Sequence, residues 1–152
     1  MNNQFELSDQ KEQPVISIRK TTTMAGLQQE LGQAFKAVIE YLAELGEAPA
    51  GSVFAAYHNM DMEHLDVEMG ILVSKALAGK GEIKAGSIPA GKQVSTVHKG
   101  AYTQMEGVYN AMTEWMNANG HTPTGVVYEF YLNSPMEVPE SELLTKIVFL
   151  VK

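Results

Sequence analysis

The chain has no cysteine, which removes disulfides, thiolate metal sites and cysteine nucleophiles together. That absence fits, as an expectation, a cytoplasmic protein. Arginine occurs once, at Arg19, and no basic stripe is readable. With a formal net charge of −7, the chain lacks the clustered cations that phosphate contacts need, so no direct nucleic-acid partner is expected. No apolar run of about 18 residues occurs, and no membrane span is expected. The opening MNNQFELSDQKE lacks the basic-then-apolar order of a signal peptide. Residues 1–13 read as a flexible or leading tail. His58, His64, His98 and His121 show no ligand spacing, and neither GxSxG nor a phosphate-cradling glycine loop is present. Neither a metal nor a cofactor is expected.

What is present suffices for one domain with a real core: 152 residues, 45% hydrophobic and 19% charged. The informative stretch is His121–Asn133, HTPTGVVYEFYLN, because a related run, EAPAGSVFAAYHN, stands 74 positions earlier at Glu47–Asn59. Superposed, Pro49 meets Pro123, Gly51 meets Gly125, Tyr57 meets Tyr131 and Asn59 meets Asn133. Upstream, Gly46 meets Gly120 and Tyr41 meets Trp115. One supersecondary unit used twice explains the match. It breaks where Glu129 replaces Ala55. A carboxylate found in one copy is not required by a fold that both copies share, which makes Glu129 the first functional candidate.

In chain order, PVISIRK at 14–20 alternates like a half-buried strand. The threonines at 21–23 offer an N-cap for a helix to Leu45, whose apolar stripe runs through Leu27, Leu31, Ala34, Phe35, Val38 and Leu42. Gly46 ends it in the left-handed conformation. Strands are expected at 51–57 and 65–73, and a short one near 82–87 inside the glycine-rich joint between the copies. The second copy opens with a strand at 92–98. Thr103 and Glu106 form a capping-box pattern for a helix to Asn119. Strands at 125–132 and 143–151 follow. The expected fold is α+β: two β-α-β-β repeats, about 14–78 and 82–152, with pseudo-twofold symmetry. An antiparallel sheet carries both helices on one face, and a ligand cleft lies between the repeats.

Strand parity places Val127, Glu129 and Tyr131 on one side and Tyr128, Phe130 and Leu132 on the other. The larger apolar set is expected against the helices, which turns Glu129 and Tyr131 toward the cleft. A carboxylate between tyrosines suits cationic or aromatic ligands, and its burial would favour a general acid or base; a surface glutamate is the alternative. Glu68 aligns with Lys146 when DVEMGILV is laid on LTKIVFLV. Each of these two either lines the cleft or is exposed.

The ordered set His98, Gly100, Tyr102, Tyr109, Trp115, Gly120, Gly125, Glu129, Tyr131 and Thr145 resembles the GyrI-like effector-binding family, over about Pro14 to Lys152. The first half, through YHNMDMEHLDVEMG and KAGSIPAGK, also resembles it. The resemblance implies a cleft for small lipophilic or cationic compounds, with Glu129 as charge anchor and Tyr131, Tyr57 and Tyr102 as walls. It also implies two departures: no DNA-binding domain accompanies the repeats, and Lys146 replaces the family's usual Glu, where it would neutralise Glu129. The leading expectation is capture of a small molecule. The alternatives are hydrolysis of cyclopropane-bearing cytotoxins through Glu129 and Tyr131, and a protein-partner role such as gyrase inhibition.

Overall fold

In the computed structural model, described over residues 5–59, 61, 63–134 and 136–152, the protein combines antiparallel strands with two helices. The chain divides into two units. The first in sequence spans Lys11–Ala90 and contains β2 (Gln13–Thr22), α1 (Leu27–Leu45), β3 (Val53–Tyr57), β4 (Leu65–Leu72) and β5 (Lys84–Ile88), with strand order β3-β4-β2-β5. The second joins β1 (Glu6–Gln10) to β6 (Gly91–Lys99), α2 (Met105–Ala118), β7 (Pro123–Tyr131) and β8 (Leu144–Val151), in the order β1-β6-β8-β7.

Two strands therefore sit differently from the β-α-β-β expectation. Part of the opening tail is β1, paired antiparallel with β6 from Glu6 opposite Ser95 to Gln10 opposite Gly91. The short joint strand is β5, and it pairs with β2 of the first unit. Each unit thus takes its end strand from the segment that leads into the other unit. β1 is polar, β5 is built mainly of small residues, and both are mostly exposed apart from Ile88 at the end of β5, so their pairing rests largely on backbone hydrogen bonds.

Helix α1 forms because its apolar residues recur every three or four positions. Leu27, Ala34, Val38, Tyr41 and Leu42 are its buried residues, and the helix rests on β2 and β4. Gly46 (φ +72°) caps it, its N–H and that of Glu47 returning to the last-turn carbonyls of Ala43 and Leu42. Gly120 (φ +75°) holds the same conformation after α2.

The entry to α2 departs from the capping-box expectation. Tyr102–Gln104 is a turn of 3₁₀ helix, α2 begins at Met105, and no side chain caps it. Thr103 lies inside that turn rather than ahead of the helix. Met105, Val108, Met112 and Met116 then bury the helix stripe against Val94, Val127, Ile147, Phe149 and Val151. The methionine stripe is core.

Candidate functional site

The register of β7 on β8 decides which way Glu129 points. Glu129 stands opposite Ile147, Val127 opposite Phe149 and Tyr131 opposite Thr145. Val127, Ile147 and Phe149 belong to the cluster under α2, so Glu129 and Tyr131 face the helix. This reverses the expectation that Tyr128 and Phe130 would pack on the helix. Those two share the opposite face, where their rings stack with centroids 5.9 Å apart. Residues 127–130 are all buried, so counting apolar groups could not tell the two faces apart.

Glu129 is only 8% exposed. Its carboxylate is held by two phenols. Tyr109, one turn into α2, donates from Oη to Oε2, and Tyr131 donates to Oε1 at 2.7 Å. A buried carboxylate needs such donors, because leaving water costs several kcal/mol. Around this pair the walls are aromatic. Tyr102 meets Tyr131 edge to face at 5.8 Å, and Tyr109 meets Phe149 likewise at 5.7 Å. Burial pushes the Tyr102 hydroxyl above its ordinary pKa, and the negative charge of Glu129 adds to the rise. The site is a buried carboxylate held by phenol hydroxyls, whose rings pack on further aromatic side chains.

Of the expected residues, the structure thus gathers Glu129, Tyr131 and Tyr102. Lys146 does not join them. It stands opposite Phe130, and adjacent residues of a strand point to opposite faces, so Lys146 is on the far side of β8 from Glu129. The expectation that Lys146 neutralises Glu129 is corrected. Tyr109, which the sequence offers only as a member of the family resemblance and not as a site residue, is a direct partner of the carboxylate. The signal lay in the alignment: 74 positions earlier stands Phe35, which lacks the hydroxyl.

Tyr57 and Glu68 lie in the first unit, and there they occupy opposite faces. Tyr57 stands opposite Val67 in the ladder, so it shares a face with Val67 and not with Glu68. Glu68 accepts from Ser17 Oγ at 2.6 Å and lies 3.1 Å from His58 Nε2. Burial alone would raise its pKa; the hydrogen bonds with His58 and Ser17 and the nearby charges of His58 and Arg19 outweigh that and lower it. Beside it Asp66 pairs bidentately with Arg19 at 2.7 and 2.8 Å, and that hydrogen bonding, against a smaller opposing effect of burial, lowers the Asp66 pKa. A groove of about 210 Å³ in the same unit is lined by Ile18, Lys20, Glu30, Gln33 and neighbours, and includes none of the candidate site residues. No cluster of His, Asp or Glu suited to a metal ion occurs among the described residues. No helix among them is long and apolar enough to cross a membrane.

A comparison with curated proteins finds no match. Among solved structures, the chain is similar to EcmrR, seen in a cryo-EM complex with DNA, at 24% identity and TM-score 0.85 over 99% of this chain and 57% of that one. The chain therefore spans little more than half the length of that relative. Against a crystal structure of the EcmrR C-terminal domain the identity is 25% and the TM-score 0.79, with 100% and 99% covered. A hydrolase encoded by lin2189 from Listeria innocua shares the fold at 15% identity and TM-score 0.70, over 97% of this chain and 91% of that one. SAV2435, solved bound to tetraphenylphosphonium, shares it at 14% identity and TM-score 0.70, over 98% and 94%. The model of the GyrI-like small molecule binding domain matches residues 3–152, and the chain belongs to that family.

Proposed function

We propose that the protein binds aromatic or lipophilic cations at Glu129. The observation that carries this is a buried carboxylate held by neutral phenol hydroxyls inside an aromatic shell. Charge attraction strengthens as water is excluded, and ring faces add cation–π attraction of about 0.5–2 kcal/mol each. Tyr109 and Tyr131 stabilise the carboxylate in the unliganded protein, and an entering cation takes over part of that role. Tyr102, with its ring edge-to-face on Tyr131, forms the adjoining wall. SAV2435, a relative by fold, was solved with tetraphenylphosphonium, which makes that ion the natural first probe.

Calorimetric titration with tetraphenylphosphonium tests the reading on wild type and Glu129→Gln. Glu129→Gln keeps the shape and removes the charge, and we expect affinity to fall by at least about tenfold. Equal affinity for both proteins would sink the assignment of Glu129 as charge anchor.

A second reading is catalytic. A carboxylate with a tyrosine hydroxyl at 2.7 Å is a possible acid–base pair, and one structural relative is a hydrolase. Incubation with strained electrophiles, followed by mass spectrometry, separates the two. Product that vanishes with Glu129→Gln supports turnover, and binding without product supports capture. We further read the two halves as internal repeats. The support is the corresponding strand order of the two units, β3-β4-β2-β5 in the first and β7-β8-β6-β1 in the second, and the matching left-handed glycines at 46 and 120.

A further inference from the structure

Thr145 carries an observation that the cation-binding reading does not use. Its side chain is 0% exposed, and its hydroxyl has no hydrogen-bond partner among the described residues. Buried polar atoms are paired in the great majority of cases, so an orphan calls for a reason. Its place supplies one. Thr145 stands directly opposite Tyr131 on one side and His98 on the other, and so faces α2 as Tyr131 and Glu129 do. The His98 ring is already engaged, with Nε2 3.0 Å from the Ala101 carbonyl. Tyr131 directs its hydroxyl away to Glu129. The fold has no need of the hydroxyl here: when the last strands of the two halves are aligned, Val67 holds this position, itself fully buried.

We propose that Thr145 is a second polar anchor of the Glu129 site, selecting aromatic cations that also carry a neutral hydrogen-bonding group such as a hydroxyl or an ether. The inference rests on the cation-binding reading and narrows its ligand class. The charge of the ligand goes to Glu129, and its polar substituent goes to Thr145 Oγ1, which both donates and accepts. The ring of Tyr131, cross-strand neighbour of Thr145, turns to admit the ligand. That one movement releases Glu129 Oε1 and uncovers the threonine hydroxyl.

The test compares phenyltrimethylammonium with its 3-hydroxyl analogue, by titration calorimetry on wild type, Thr145→Val, Thr145→Ser and Glu129→Gln. We expect the hydroxylated ion to bind wild type about fivefold more tightly than its parent, the worth of one net hydrogen bond. That ratio falls to about one in Thr145→Val and survives in Thr145→Ser, while Glu129→Gln weakens both ions. We also expect Thr145→Val to keep or raise Tm, since it removes an unpaired buried hydroxyl. An equal ratio in wild type and Thr145→Val, with both ions still dependent on Glu129, overturns the role of Thr145 and leaves the charge anchor standing. Failure of both ions and of tetraphenylphosphonium to bind wild type overturns the site as a whole. A marked fall of Tm in Thr145→Val would show a structural partner for the hydroxyl and defeat the proposal by itself.

Discussion

At matching places the two units are built from different chemistry. In the first unit Ala55, Phe35 and Val67 stand where the second has Glu129, Tyr109 and Thr145. Ala55 lies opposite Met69 in its ladder as Glu129 lies opposite Ile147 in the other. One set is apolar and fills space; the other replaces each member by a polar residue. Two of the three polar residues satisfy one another, since Tyr109 donates to Glu129, and the third is left unpaired. The first unit has a polar array on the other face of its strands, in which buried Ser17 meets half-buried Glu68 and His58. The first unit holds an apolar set at these positions, and on the reading proposed above the polar set in the second unit serves ligand binding.

The sharpest way to break this contrast is to move the carboxylate alone. Ala55→Glu places a charge where no phenol stands at the position of Tyr109, since Phe35 is there. The expected cost is about 3–5 kcal/mol, a fall in Tm of at least roughly 6 °C. Protonation relieves it, so the deficit should shrink at acid pH. Thermal unfolding across pH checks this, and a tolerated Ala55→Glu would mean that the position does not demand partners at all.

The converse change, Tyr109→Phe, copies Phe35 into the second unit and strips one donor from a buried carboxylate. We expect a loss of about 1.5–3 kcal/mol, as for hydrogen bonds to charged groups, measured by denaturant unfolding. Tyr109→Phe combined with Glu129→Ala should recover much of it, because the pair is then absent rather than broken.

A third prediction concerns the first unit alone. The folded pKa of Glu68 lies below its ordinary 4.5, so its contribution to stability is present above that value and fades as pH falls through the lower folded pKa. Stability of the wild type should therefore decline on the acid side of about 4.5 more steeply than in Glu68→Gln. Parallel curves would detach the array from stability.

The smallest expected effect is spectroscopic. The folded pKa of Tyr102 is raised above 10.0, first by burial and then by Glu129. Glu129→Gln removes the charge and keeps the burial, so the tyrosinate absorbance of Tyr102 should appear at a lower pH than in wild type while staying above the ordinary value. An unchanged titration would place the two groups out of electrostatic reach.

Much of this was legible before folding. The helix stripes, the glycine stops and six of the eight strands among the described residues followed from periodicity, because each element buries one continuous face. Strands β1 and β5 were hardest to read, since mostly exposed end strands carry little apolar alternation. Glu129 was visible as the break with Ala55; the same comparison held Tyr109 against Phe35, and the separate alignment of the last strands held Thr145 against Val67. The sense in which Glu129 pointed was not legible. Parity groups residues by side, but β7 buries both sides between 127 and 130, so no polar face marked the outside.

The sequence by itself determined which elements form, where they stop and which residue types depart from a shared frame, because these depend on local spacing and on backbone conformations such as that of Gly46. Only the tertiary structure decided that Lys146 lies across the strand from Glu129, that Tyr109 reaches the carboxylate from α2, and that Thr145 is sealed without a partner. Those facts depend on ladder register and on which face a helix covers. They are set by long-range pairing, where a shift of one residue would turn every side chain over.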